Sequence, residues 1–178
     1  MSKIAGIYWD DTAAAPGISL SVYFSGCHFH CPGCQNPEAQ DFNYGTEFTW
    51  DTLDEIMHKI NKNGVMRTLC ILGGEPLCNE NLDDVKRLIG WCKHDYPDLK
   101  IYVWTGYTME ELIARDDDDI RTILRNITCL IDGRYEQDKR DITLPLRGSS
   151  NQRILKFEDW HGKPEKQLLE ELKTWPTT

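Results

Sequence analysis

Ile18-Ser19-Leu20-Ser21-Val22-Tyr23-Phe24-Ser25-Gly26 runs without a break into Cys27-His28-Phe29-His30-Cys31-Pro32-Gly33-Cys34. The first nine residues read as a β-strand. They deliver the chain directly into a loop whose three cysteines are spaced C-x3-C-x2-C. Three thiolates so close in sequence can wrap one small inorganic cluster on a tight loop. A [4Fe–4S] cluster has four irons and is usually held by four cysteines, so three leave one iron open. An open iron can bind a substrate or cofactor directly, which points to chemistry rather than passive electron transfer.

The competing reading of this loop is a structural zinc site, which needs a second Cys or His pair further along the chain. No distant C-x2-C or H-x3-5-H pair is present. His28 or His30 could complete a Cys3His site, but four ligands from one short loop would be cramped. A disulfide fits less well, because the seven cysteines are an odd number and the N-terminus has no apolar signal segment. Cys70, Cys92 and Cys129 lie in apolar stretches and read as buried small hydrophobes. Cys78 follows Gly73-Gly74-Glu75-Pro76-Leu77 and has no assigned role.

The bulk properties bound the rest. A chain of 178 residues suits one domain with a single core. A closed eight-stranded α/β barrel needs roughly 250 residues, so a complete barrel is not expected. The net charge of -9 argues against non-specific nucleic-acid binding and against an anionic membrane surface. No apolar run approaches the roughly 20 residues of a membrane span. A cytoplasmic location is the expectation.

Downstream, residues 36–48 read as a loop. Thr52-x-x-Glu55 has the form of a capping box, with Leu53, Ile56, Met57 and Ile60 at helical spacing and a stop at Gly64. Residues 67–72 form a buried type of strand that meets Gly73-Gly74-Glu75-Pro76 at once. Leu82, Val85, Leu88, Ile89 and Cys92 mark a second helix. Residues 100–104, ending in Thr105-Gly106-Tyr107, and 127–132 read as further strands, and 152–157 as a fifth. The run Asp116-Asp117-Asp118-Asp119 reads as a solvated loop whose carboxylates stabilise the next helix N-terminus. Strands alternate with helices, so a parallel α/β sheet is expected. Ligands bind at the carboxyl ends of parallel strands in such folds. Cys27, Gly73, Thr105 and Asp132 would then share one rim.

The cysteine triad after one strand and Gly73-Gly74-Glu75-Pro76 after the next resemble the radical S-adenosylmethionine (SAM) enzymes. Three further blocks narrow the resemblance: Trp104-Thr105-Gly106-Tyr107, Asp132-Gly133-Arg134-Tyr135 and Arg147-Gly148-Ser149-Ser150-Asn151-Gln152. With them, the stretch from about Pro16 to about Ile154 is similar to the activating enzymes of anaerobic ribonucleoside-triphosphate reductase. Pro32-Gly33 departs from the superfamily, where an aromatic often precedes the third cysteine, but suits the narrower family.

The resemblance implies a partial open (β/α) barrel of the radical SAM type, with cluster and SAM at the C-terminal strand rim. It implies one domain over 1–178, with its core at about 16–157 and a C-terminal tail, 158–178, whose Leu168, Leu169 and Leu172 could share a helix face. Cys27, Cys31 and Cys34 would each ligate one iron of a [4Fe–4S] cluster. SAM would be contacted by Gly33, Cys34, Gln35, Gly73, Gly74, Glu75, Thr105, Asp132, Ser149 and Asn151. Gly74 would lie against the methionyl group, and backbone carbonyls there or the Glu75 carboxylate would accept from its ammonium. The activity implied is reductive cleavage of SAM, followed by hydrogen abstraction from a glycine of the partner reductase to form a glycyl radical. An electron donor, not identified by the sequence, is also required. Two alternatives stay open: action on another glycyl-radical enzyme or a small molecule, and a non-catalytic zinc-binding interaction module.

Overall fold

Residues 1–157, with Gln167, Glu170 and Glu171, are described in a computed structural model. The expected tail 158–178, including Leu168, Leu169 and Leu172, otherwise lies outside the described residues. Four parallel strands form the spine of the fold: β2 (Ser19–Phe24), β4 (Thr68–Gly73), β5 (Ile101–Trp104) and β6 (Cys129–Asp132). They lie side by side in chain order within an open seven-stranded sheet, β3-β1-β2-β4-β5-β6-β7.

The expectation of a wholly parallel sheet is corrected at both edges. β1 (Lys3–Asp11) runs antiparallel to β2, and β3 (Thr46–Glu47) runs antiparallel to β1. β7 (Arg153–Lys156) is present where a fifth strand was expected, but it runs antiparallel to β6. Only a three-residue 3-10 helix, Gln137–Lys139, lies between it and β6, and a parallel crossover is usually made by an α-helix. β1 was not anticipated. Its Ile4, Ile7, Tyr8 and Trp9 carry the β-branched and aromatic bias of a strand, and a register irregularity between Tyr8 and Asp11 obscures the period.

Alternation along each central strand divides the sheet into two faces. Leu20, Val22 and Phe24 of β2, Leu69 and Ile71 of β4, and Ile101 and Val103 of β5 belong to one hydrophobic core. The four helices pack on that face. α1 (Trp50–Ile60) contributes Leu53, Ile56 and Ile60, and α2 (Asn79–Asp95) contributes Leu82, Val85, Leu88, Ile89 and Cys92. α3 (Met109–Ala114) and α4 (Asp118–Asn126) add Met109, Leu112, Ile120, Ile123 and Leu124. Tyr23, Leu72 and Trp104, each one residue out of phase, point to the opposite face.

Helix starts follow local chemistry. The cap of α1 lies three residues before the expected one: Thr49 accepts from the Thr52 amide and Thr52 from the Thr49 amide, a reciprocal box. Thr108 and Glu111 form a second box at α3. Asp117 caps α4 by accepting from the Asp119 and Ile120 amides, as the acidic run implied. Cys70, Cys92 and Cys129 are buried, as their apolar surroundings suggested. Cys78, also buried, is the N-cap residue of α2, with no side-chain capping bond.

Candidate functional site

At the carboxyl ends of β2, β4 and β5 the chain makes three turns, and backbone hydrogen bonds join two of them directly. The Gly74 amide donates to the Phe24 carbonyl at 2.7 Å, and the Glu75 amide to the Gly26 carbonyl at 2.7 Å. The cysteine loop is held from its other side by the Gly26 amide on Ala39 (2.8 Å) and the Cys27 amide on Gln40 (3.0 Å). Asn81 of α2 is buried and donates from Nδ2 to the Ser25 and Glu75 carbonyls, at 2.9 and 3.0 Å. Nothing in its spacing had singled it out. Within the loop, His30 takes a left-handed φ of +48°. Such a backbone is unfavourable for an L-residue with a side chain, and here it lets the chain reverse between the first two cysteines.

These turns frame a cavity of about 860 Å³ on the sheet face away from the helices. Cys27, Cys31 and Cys34 all lie on its wall, as do Gln35, Gly73, Gly74, Glu75 and Thr105. Two of the sulfurs receive backbone amides: Phe29 N–H points to Cys27 Sγ at 3.5 Å, and Asn36 N–H to Cys34 Sγ at 3.4 Å. Burial pushes the Cys27 and Cys31 thiols up. The Phe29 amide pulls Cys27 back, while the Tyr135 amide and the Arg134 guanidinium pull Cys31 back. These donors offset part of the burial, and the net direction for both thiols remains upward. Among the described residues, no three His, Cys, Asp or Glu side chains converge closely enough to hold one metal ion.

The Glu75 carboxylate is buried and already has three donors. Oε1 accepts from the Leu77 amide at 2.9 Å and the Thr105 hydroxyl at 2.7 Å, and Oε2 from the Gly106 amide at 2.7 Å. Burial nevertheless raises its pKa to about 7, against the pull of those donors. Glu75 thus fastens the turn after β4 to the turn after β5 and retains acceptor capacity on the cavity wall.

Four expected contact residues are not on that wall. Asp132 is buried and committed: it accepts from the Met109 amide at 2.7 Å and from Arg153 Nε and Nη2, at 2.9 and 2.5 Å. It anchors the start of α3 and holds β7 to β6. Ser149 is buried and accepts from the Glu136 amide at 3.2 Å. Asn151 donates to the Arg134 carbonyl at 2.7 Å. Gly33 is exposed and lies beside the Gln137 side chain. Each of the four makes local contacts that build its loop, as short polar residues and glycine next to turns do, while Asn151 Oδ1 is buried without a hydrogen-bond partner.

Gly74 is on the wall and is also packed against backbone. A Cβ there would lie inside 3.0 Å of the Ala39 and Gly26 carbonyls, which are protein backbone and not ligand space. Gly73, at φ +121°, is left-handed and equally close to Phe24. The two glycines let β4 press against the root of the cysteine loop.

Several wall residues had no role in the sequence reading: Tyr23, the segment from Ile7 to Ala14 with Asp10 and Asp11, and Trp104 and Tyr135, which lay within quoted blocks. Arg147, on the same wall, lay within a block that the reading singled out, without a role of its own. β-strand alternation could have flagged Tyr23 and Trp104, since each is flanked by core residues.

The chain matches the family model for a 4Fe-4S single cluster domain over residues 13–155. It is 37% identical over 154 residues to the anaerobic ribonucleoside-triphosphate reductase-activating protein of Pasteurella multocida, covering 86% of this chain and 96% of that one. The protein of the same name from Escherichia coli K12 is 35% identical over 143 residues, 80% and 90% of the two chains. That of bacteriophage T4 is 31% identical over 148 residues, 83% and 90%.

Proposed function

Because the chain belongs to the family of anaerobic ribonucleoside-triphosphate reductase-activating proteins and carries a 4Fe-4S cluster domain, we propose that it activates such a reductase by radical SAM chemistry. The observation that carries this reading is the meeting, on one cavity, of the three thiols with the Gly73-Gly74-Glu75 and Thr105-Gly106 turns. Cys27, Cys31 and Cys34 would hold the cluster, with the Phe29, Asn36 and Tyr135 amides tuning the sulfurs. When bound and reduced by an external donor, the cluster would supply one electron to SAM, giving methionine and a 5′-deoxyadenosyl radical able to take a hydrogen atom from a reductase glycine.

This chain's own residues position and shield. Gly73, Gly74, Glu75, Thr105 and Gln35 form the wall against which SAM would lie, and Glu75 offers carboxylate oxygens to its ammonium. Rigid positioning is the main contribution of protein to such chemistry. The target glycine must come within roughly 3–3.5 Å of the attacking carbon, so a reductase segment would enter the same cavity. The four parallel strands in chain order, with α1–α4 on one face, support a partial barrel, and one continuous core among the described residues supports one domain. No described helix is long and apolar enough to cross a membrane. Seven free thiols suit the reduced cytoplasm, which is part of the proposal.

The test is isotopic. Reductase carrying deuterated glycine, mixed with reduced cluster-loaded protein and SAM, should yield deuterated 5′-deoxyadenosine and a glycyl radical signal on the reductase. Undeuterated product without a reductase radical would overturn the reading in favour of another substrate. Anaerobic protein containing zinc, without iron and acid-labile sulfide, would overturn the cluster itself.

A further inference from the structure

The loop that leads toward β7 carries an apolar strip that the proposed chemistry does not use: Ile142, Leu144, Pro145 and Leu146. Its two ends are pinned together. Arg140 and Ser149 form an antiparallel bridge, the Asp141 amide donates to the Gly148 carbonyl at 3.2 Å, and the Ser150 amide donates to the Lys139 carbonyl at 2.9 Å. Within the loop, Asp141 Oδ1 accepts from the Thr143 amide at 2.9 Å and the Thr143 hydroxyl at 2.7 Å. Trp104 Nε1 of β5 donates to the Leu146 carbonyl at 2.8 Å. Leu146 takes a left-handed φ of +62°. That backbone is unfavourable for a bulky side chain and persists only where the surroundings fix it. The loop is thus held in one shape, and its side chains are held with it.

Those side chains run from the cavity out into solvent. Leu146 lies on the cavity wall. Leu144 is half-buried, Pro145 is exposed, and Ile142 is 78% exposed. Among the large hydrophobic side chains of the described residues, only that of Met1, at 81%, is more exposed. A lone aliphatic residue at the surface needs no explanation. Ile142 is not alone: it heads an apolar strip on a held loop whose other end is the cavity wall, and such a strip left in water marks a contact surface. Tyr8 of β1, from the other side of the sheet, also lines the cavity and is 61% exposed.

We infer that Ile142 is an apolar anchor by which this chain docks on the anaerobic ribonucleoside-triphosphate reductase, seated in a hydrophobic pocket of that protein beside the segment that enters the cavity. This rests on the reading above, in which a reductase segment reaches the cavity. The occupant follows from continuity: such a segment brings the body of the reductase against the walls it passes, and the Asp141-to-Gly148 loop is one of them. A side chain held in place before contact loses little freedom on binding, and a few such anchors carry most of the energy of an interface.

The test is association of anaerobic, cluster-loaded protein with the intact reductase, followed by biolayer interferometry. Ile142→Asp should weaken it on the order of tenfold, and Ile142→Leu should stay within about threefold of wild type. Ile142 is not among the residues that line the cavity. Iron content and reductase-independent cleavage of SAM by the reduced protein should therefore match wild type in both variants. Unchanged affinity in Ile142→Asp, or weakening that comes only with lost iron, would overturn the assignment. Wild type that binds the reductase but forms no glycyl radical on it would remove the radical reading and leave the anchor standing, whereas wild type that binds no reductase would overturn the anchor.

Discussion

The Thr105 hydroxyl donates to Glu75 Oε1 across 2.7 Å, joining the turns that follow two neighbouring parallel strands. The Gly106 amide completes the clasp on Oε2. The residues that make the cavity wall are thus the ones that hold its parts in register. A substitution at Glu75 will act on stability and on the ligand site together.

The first prediction follows from the protonation of that clasp. Burial raises the Glu75 carboxyl from its ordinary 4.5 to about 7. The native state therefore holds a proton on Glu75 between those values that the unfolded chain releases. Stability falls as pH rises through this window and levels off above about 7. Relative to Glu75→Gln, wild-type apoprotein should lose about 3 kcal/mol between pH 4.5 and 7, read by urea denaturation at each pH. Parallel pH profiles for the two proteins would show that Glu75 titrates normally. A cationic ligand group in the cavity would draw the value back down, so SAM should narrow the difference.

The cysteines divide into two classes by position. Serine at Cys27, Cys31 or Cys34 should remove most cluster iron. Serine at Cys92, whose thiol burial pushes up to about 12 and whose Sγ contacts Met57 Sδ at 3.6 Å, should leave iron intact. It should cost about 1–3 kcal/mol by burying a hydroxyl in an apolar site. Iron and sulfide assays on the anaerobic proteins separate the classes. Normal iron content in Cys31→Ser would remove Cys31 from the ligand set.

Gly74→Ala should weaken the whole cysteine loop and not SAM binding alone. The new methyl would press on the Gly26 and Ala39 carbonyls, and overpacking of this kind costs about 1–3 kcal/mol. The expected result is a lower melting temperature together with reduced cluster loading. A variant of native stability and full cluster content that binds SAM weakly would return Gly74 to ligand contact.

Asp132 is expected to act through the fold. It is buried and holds Arg153, which also pairs with Glu110 of α3. Removing one partner of a buried ion pair typically costs about 3–5 kcal/mol. Asp132→Ala should fall in that range by chemical denaturation. The double variant Asp132→Ala, Arg153→Met should recover part of the loss, because no buried charge is then left unpaired. Full stability of the single variant would mean that the pair contributes nothing.

Much of the site was legible in residue order because its parts are local. Cys27, Cys31 and Cys34 occupy one loop. Gly73-Gly74-Glu75 and Thr105-Gly106 each follow a strand marked by apolar runs, and parallel strands carry their C-terminal turns to one rim. The sequence left Asp132, Ser149 and Asn151 open between ligand contact and turn-building, because a short polar residue beside a turn has the same local appearance whether it faces a ligand or a backbone amide. The partner it finds is set by chain segments far away in sequence. For Asp132 these are Met109 and Arg153.

Residue types and spacing alone determined the thiol triad and the alternation of strand and helix. Only the tertiary structure decided the rest. β1, distant from the motifs, supplies part of the cavity wall, and β7 returns antiparallel and carries Arg153 to Asp132. Gly74 faces backbone, and Arg147 comes to the cavity wall. The physical reason is one of range. Local periodicity and turn chemistry act over a few residues. Hydrogen-bond satisfaction and close packing are settled between segments that meet only after the sheet has formed.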